Sequence, residues 1–187
     1  MTAQTLEDLA YESLDPFARA PINSAKPEPE GSETNVAILA LDLGTKTGYA
    51  IRTRCGKTIY GTESFTPRKS WTPGQRWQRF RSWLSSTIVE NQINSIAYED
   101  VKRHIGTDAA HVYGAFLALV EMLADTHNLT LQPVGVGTVK KHWTGKGNAK
   151  KDEMVAEAKR RGLHPDGDNS ADALAILDWA IKQEAKA

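Results

Sequence analysis

Three carboxylates stand at the ends of three separate apolar segments. Asp42 ends the run in Ile38-Leu39-Ala40-Leu41-Asp42-Leu43-Gly44, and Glu99 ends it in Ile96-Ala97-Tyr98-Glu99-Asp100. Asp172 lies in Asp168-Asn169-Ser170-Ala171-Asp172-Ala173-Leu174. A carboxylate beside a buried run is costly unless its charge is compensated. Brought together, such groups repel by roughly 4 kcal/mol per close pair at an effective dielectric near 20. A divalent cation removes that repulsion, so a fold that gathers these segments is constrained to build a metal site from them.

The pattern between the acids sets the fold class. Residues 36–41 read as a buried strand by their length and the Gly that follows. Residues 49–52 and 58–65 read as further strands, giving a meander with turns at 44–48 and 55–57. Trp77, Phe80, Leu84 and Ile88 recur at helical spacing within 74–90. A short strand, 95–98, leads to Glu99. Thr107 is expected to cap a helix running to about Thr126, with Val112, Phe116, Leu119, Val120 and Leu123 as its apolar stripe. Another strand follows at 129–134, then a basic helical stretch at 138–143. A helix over 148–161 stops at Gly162, and a last helix covers 170–185. This order predicts an α/β fold with a mixed five-stranded sheet and helices on both faces.

The 187 residues fit one such domain plus a tail. Residues 4–20 are expected to form a short amphipathic helix through Leu6, Leu9, Tyr11, Leu14 and Phe17. Residues 21–35, carrying Pro21, Pro27, Pro29 and Gly31, read as linker. The expected division is an acidic extension, 1–35, and a catalytic body, 36–187. No run of 18 apolar residues suggests a membrane span, and the acidic start does not read as a secretory signal. A lone Cys55 makes no internal disulfide, and no Cys/His cluster suggests zinc. These features place the chain in a reducing cytoplasm. The net charge of zero hides an asymmetry: residues 1–35 hold seven acids and two bases, leaving 16 acids and 21 bases in the body. A basic body suits a polyanionic partner.

The basic residues are concentrated. Val139-Lys140-Lys141-His142-Trp143-Thr144-Gly145-Lys146-Gly147-Asn148-Ala149-Lys150-Lys151 packs five lysines into twelve positions around a small-residue turn. Lysines are point charges suited to phosphates, and glycines let a backbone approach closely. Acids and lysines together point to phosphodiester hydrolysis, in which oxygen ligands hold hard divalent ions roughly 3.5–4 Å apart. Asp42 precedes Gly44, which would let a phosphate come near. Asp168 lies one turn before Asp172 on the same helix face. Trp71, Trp77, Trp83 and Trp143 are candidates for stacking on bases. Trp143, inside the basic segment, is the best placed of them, while Trp77 and Trp83 fit core packing. Gly114 suggests a close helix contact, either across a dimer or inside the fold.

Leu41-Asp42-Leu43-Gly44-Thr45-Lys46-Thr47-Gly48-Tyr49 resembles the first motif of RuvC-type Holliday-junction resolvases. Glu99 is similar to that family's second acid, the 139–151 segment to its basic segment, and Ala171-Asp172-Ala173-Leu174-Ala175 to its last motif. The resemblance spans about residues 36–182. It implies a ribonuclease H-like fold, a homodimer, two Mg²⁺ or Mn²⁺ ions per site, and paired nicks in four-way or other branched DNA. It implies metal ligation by Asp42, Glu99 and Asp172, with Lys140 and Lys151 near the scissile phosphate; Asp168, one turn before Asp172, is the expected fourth ligand, and Lys151 is expected to offset charge at phosphorus. Lys102, Arg103, Lys141, Trp143, Lys146 and Lys150 complete the expected DNA-binding set.

The chain departs from the family pattern twice. The last motif usually has two Asp residues three apart, whereas Asn169 stands at that position here, leaving Asp168 or Asn169 to complete the site. The wedge aromatic three residues after the second acid is replaced by Lys102, followed by Arg103 and His104, which favours a phosphate grip. These features and the acidic extension resemble the phage branch of the family. Three other readings compete: a nuclease of the same superfamily acting on RNA precursors, a non-catalytic branched-DNA binder, and a sugar-kinase or actin-type ATPase. The last would need further Gly-rich phosphate loops, and none is seen.

Overall fold

In the computed structural model, which describes residues 23–24, 36–102 and 106–186, the sheet is built from β1 (Asn23–Ser24), β2 (Ile38–Asp42), β3 (Lys46–Arg52), β4 (Thr58–Ser64), β5 (Ser95–Asp100) and β6 (Thr130–Gly135). The helices are α1 (Gln75–Glu90), α2 (Thr107–His127), α3 (Val136–Thr144), α4 (Lys151–Arg160) and α5 (Asp168–Glu184). Strand order is β1-β4-β3-β2-β5-β6. The meander β2–β3–β4 is antiparallel, while β5 and β6 join β2 in parallel. The five expected strands are present. Two residues of the expected linker, Asn23 and Ser24, add a short sixth strand against Tyr60 and Ile59. The helix expected at 4–20 lies outside the described residues.

Side-chain alternation along each strand sorts the core into two layers. Ala37, Leu39 and Leu41 of the β2 region join Ile96 and Tyr98 of β5 on the face covered by α1 and α2. Phe80 and Phe116 stack there at 3.9 Å between ring centroids, with Phe65 edge-on to both. Trp77 and Trp83 pack against this layer, as their helical spacing suggests. Ile38, Ala40, Ala50 and Ala97 face the other way, toward α3, α4 and α5. On that face the alanines of the strands meet Ala173, Ala175 and Ala180 of α5, so the helix lies close on the sheet.

Several boundaries differ from the sequence reading. Strand β3 starts at Lys46, so the first turn is only Leu43, Gly44 and Thr45; Thr47 Oγ1 closes it by donating to the Gly44 carbonyl at 2.8 Å. Thr107 is the first residue of α2 rather than its cap; Gly106 holds that position without a side-chain bond. Helix α4 starts at Lys151, three residues later than expected, and Gly162 follows its C-terminus at φ +81°. Helix α5 starts two residues earlier, at Asp168. Gly114 is exposed, and a Cβ built on it meets nothing within 4 Å, so packing inside the fold does not require it. Among the described residues, no helix is long and apolar enough to cross a membrane.

Candidate active site

Strand parity determines where the acids point. Asp42 follows Ile38 and Ala40 on the face toward α5, and Glu99 follows Ala97 on the same face. Because β2 and β5 are parallel neighbours, both carboxylates leave the same edge of the sheet. Helix α5 brings the third. Its first turn lies against β3 at Gly48, the residue paired with Asp42, where a Cβ would fall 1.9 Å from the Asn169 carbonyl oxygen. Only glycine accommodates that approach, which carries Asp172 to the other two acids. Two bonds fasten the loop before α5 to β4: the His164 N–H donates to Tyr60 Oη and Thr62 Oγ1 donates to Asp166, each at 3.0 Å.

Glu99 is held from behind. Tyr113 of α2 donates its hydroxyl proton to the Glu99 carbonyl at 2.9 Å and accepts the Val101 N–H at 3.2 Å. This clamp fixes the backbone on both sides of Asp100. The sequence reading missed both Tyr113 and the role of Gly48. Tyr113 sits beside Val112 in the apolar stripe, where its spacing reads only as core, and the contact at Gly48 is 121 residues distant in sequence.

The three acids are coupled electrostatically. Burial, then repulsion from Asp172 and Glu99, raises the Asp42 carboxyl well above its ordinary range. Burial, then Asp172, raises Glu99 to about 7. Burial raises Asp172 to about 6 against the pull of Lys140 and Lys151. Asp168 differs: its hydrogen bond from Lys151 Nζ holds it below the usual range. Among the described residues, no three His, Cys, Asp or Glu side chains are already drawn into a coordinating group. Asp42, Glu99 and Asp172 act on one another as repelling charges. An all-oxygen donor set of desolvated, mutually repelling carboxylates fits a hard divalent cation.

The basic segment divides. Lys140 and Lys151 lie within electrostatic range of the acids. Lys141, next in sequence, lines a groove of about 370 Å³ with Thr138, Trp179 and Lys182. Lys146 pairs with Glu153 at 2.8 Å, and the exposed Lys150 gives its backbone N–H to the same carboxylate at 2.8 Å. Lys102 pairs with Asp100 at 2.5 Å, and Arg103 lies outside the described residues. Trp143 corrects the sequence reading. It is 3% exposed, its indole N–H donates to the Met154 carbonyl at 3.1 Å, and Arg161 covers the ring at 3.8 Å. A ring so enclosed presents no face to a base, so Trp143 is a core residue in the basic segment.

No family model and no curated protein matches the sequence. Solved structures do match the fold. RuvC of T. thermophilus in complex with a Holliday junction substrate superposes with a TM-score of 0.67 at 20% identity, over 81% of this chain and 96% of that one. Another T. thermophilus RuvC structure gives 0.62 at 21% identity, over 75% and 90%. The yeast mitochondrial Holliday junction resolvase gives 0.57 at 16% identity, over 85% and 82%. The mixed sheet between two helical layers, with the three acids at one edge, is therefore a RuvC-type, ribonuclease H-like fold.

Proposed function

We propose that this chain is a metal-dependent endonuclease that cuts branched DNA, with the four-way junction as its leading substrate. The observation that carries the reading is the gathering of Asp42, Glu99 and Asp172, three desolvated carboxylates from three elements, beside Lys140 and Lys151. The T. thermophilus RuvC that shares the fold was seen with a Holliday junction substrate, which supports the choice of DNA. Asp42, Glu99 and Asp172 would hold the metal, Mg²⁺ or Mn²⁺, with Asp168 as the fourth ligand. Bound there, two such ions would lower the pKa of a water and neutralise charge on the leaving oxygen.

The chain's own groups do the rest. Glu99, held by Tyr113, orients the attacking water. Lys151 leaves Asp168 to offset charge developing at phosphorus, and Lys140 steadies the same phosphate. A homodimer would present two such sites to a substrate of two-fold symmetry and so make paired nicks. We infer that the protein meets its DNA in a reducing cytoplasm, and the acidic extension fits a phage or prophage setting.

The test is cleavage of a labelled four-way junction with Mg²⁺. Asp42→Asn, Glu99→Gln and Asp172→Asn should each abolish cutting while binding persists. Cutting at the wild-type rate by any of them would remove that residue from the site. Cutting of structured RNA in preference to the junction would overturn the substrate.

A further inference from the structure

The stretch 66–89 holds five basic residues and no acid, and three of the five, Arg68, Arg76 and Arg79, are set on indoles in a place that the candidate active site does not use. The segment begins where β4 ends, with Ser64 in register with Lys46 and the Phe65 N–H donating to the Thr45 carbonyl at 2.8 Å. It therefore leaves the sheet beside the turn that follows Asp42. Its loop is ordered by short bonds. The Trp71 N–H donates to the Arg68 carbonyl at 3.0 Å, and the Thr72 N–H donates to Gln75 Oε1 at 2.8 Å.

Trp71 is the post around which the charges are set. The Arg68 guanidinium lies 5.8 Å from its ring centre and that of Arg79 lies 4.8 Å away. Arg76 stands over Trp77 at 5.4 Å. Among the described residues, no ion pair takes up Arg68, Lys69, Arg76 or Arg81. Guanidiniums held on indole faces lose less freedom on binding than free side chains, and their planar forks match phosphate oxygens. A membrane surface is a poor occupant, because the two exposed large apolar residues among those described, Val89 and Met122, leave the loop without an apolar anchor.

We propose that this platform grips the phosphate backbone of the DNA arm that continues from the cut strand, with Arg68, Lys69 and Arg76 on phosphates and Trp71 as a positioning residue. The proposal rests on the nuclease reading above and adds a second contact to it.

The experiment measures binding of a labelled four-way junction by anisotropy in Ca²⁺ at several salt concentrations. Arg68→Glu/Lys69→Glu should weaken binding about 10- to 100-fold and flatten the salt dependence by about two phosphate contacts. Trp71→Ala should weaken it several-fold and Trp71→Phe should restore most of that loss, with thermal melts confirming that both fold. Unchanged affinity and salt slope in the double variant, while the wild type still cuts, would overturn this proposal alone. A wild type that binds the junction in Ca²⁺ and does not cut it when Mg²⁺ or Mn²⁺ replaces Ca²⁺ would remove the nuclease reading and leave the platform standing on its variants. A wild type that binds no nucleic acid would overturn both.

Discussion

Gly48 and Asn169 meet backbone to backbone: a Cβ on Gly48 would lie 1.9 Å from the Asn169 carbonyl oxygen and 2.4 Å from its carbon. Both obstructing atoms belong to the first turn of α5, so no side-chain rotation relieves the clash. Gly48→Ala must push α5 away from β3 and carry Asp172 from Asp42. The expected cost is about 2–3 kcal/mol of stability, with cutting reduced at least ~100-fold, since small misplacement of reacting groups costs that much. Denaturant melts and junction cleavage check it. A variant with wild-type stability and rate would mean that α5 is not seated by this contact.

The Tyr113 hydroxyl gives a second test. It bridges the Glu99 carbonyl and the Val101 N–H, and the tyrosine is 8% exposed. Tyr113→Phe keeps the packing and deletes both bonds, leaving two backbone groups with little access to water. The expected loss is about 1–3 kcal/mol. Because Glu99 is oriented through this backbone, kcat should fall more than junction affinity. A fall in affinity with kcat unchanged would separate the clamp from the acid.

What could be read from the sequence was whatever repeats locally. The strand and helix order followed from apolar spacing, which put Asp42 and Glu99 at strand ends; that they share a face needed the parallel pairing of β2 with β5. Asp172 and Asp168 came from a helical register. The parts that were missed depend on distant partners. Gly48 looks like a turn glycine until α5 is placed on it. Trp143 sits among lysines and reads as a DNA contact, yet α4 folds back and encloses it through Met154. Lys140 and Lys141 are indistinguishable by composition, and only the orientation of α3 sends one to the acids and the other to the groove.

The acid cluster should make the metal-free protein's stability depend on pH. The folded state raises Glu99 to about 7 and Asp172 to about 6, whereas carboxyls of an unfolded chain titrate near 4. For an acid raised on folding, the stabilising contribution is complete below the unfolded value and is lost as pH rises through the folded one. The cluster therefore weakens the fold progressively between about pH 4 and pH 7. Glu99→Gln should remove that loss. In EDTA its melting temperature should exceed the wild type's by roughly 5 °C at pH 7.5, from about 2 kcal/mol. The gap should close near pH 4.5. Mg²⁺ at pH 7.5 should raise the wild type and leave the variant less changed. A gap that does not vary with pH would show that the substitution acts through packing.

Arg161 locks the corner that encloses Trp143. Its guanidinium covers the indole at 3.8 Å, donates to the Trp143 carbonyl at 3.0 Å and reaches Glu157 at 2.8 Å and Asp178 at 3.2 Å. No smaller side chain makes all four contacts, and an ammonium lacks the planar fork. Arg161→Ala should cost about 2–3 kcal/mol, and Arg161→Lys should recover only part. Glu157 supplies the signed control. Its bonds from Arg160, then Arg161, hold it at about 2, so its contribution is present above the unfolded value near 4 and fades as pH falls toward 2. Glu157→Gln should therefore destabilise at pH 7 and lose most of its effect as pH falls toward about 2, read as urea midpoints. Trp143→Phe, measured where it remains folded, should bind a four-way junction as tightly as the wild type. A specific loss of affinity there would return Trp143 to the DNA surface.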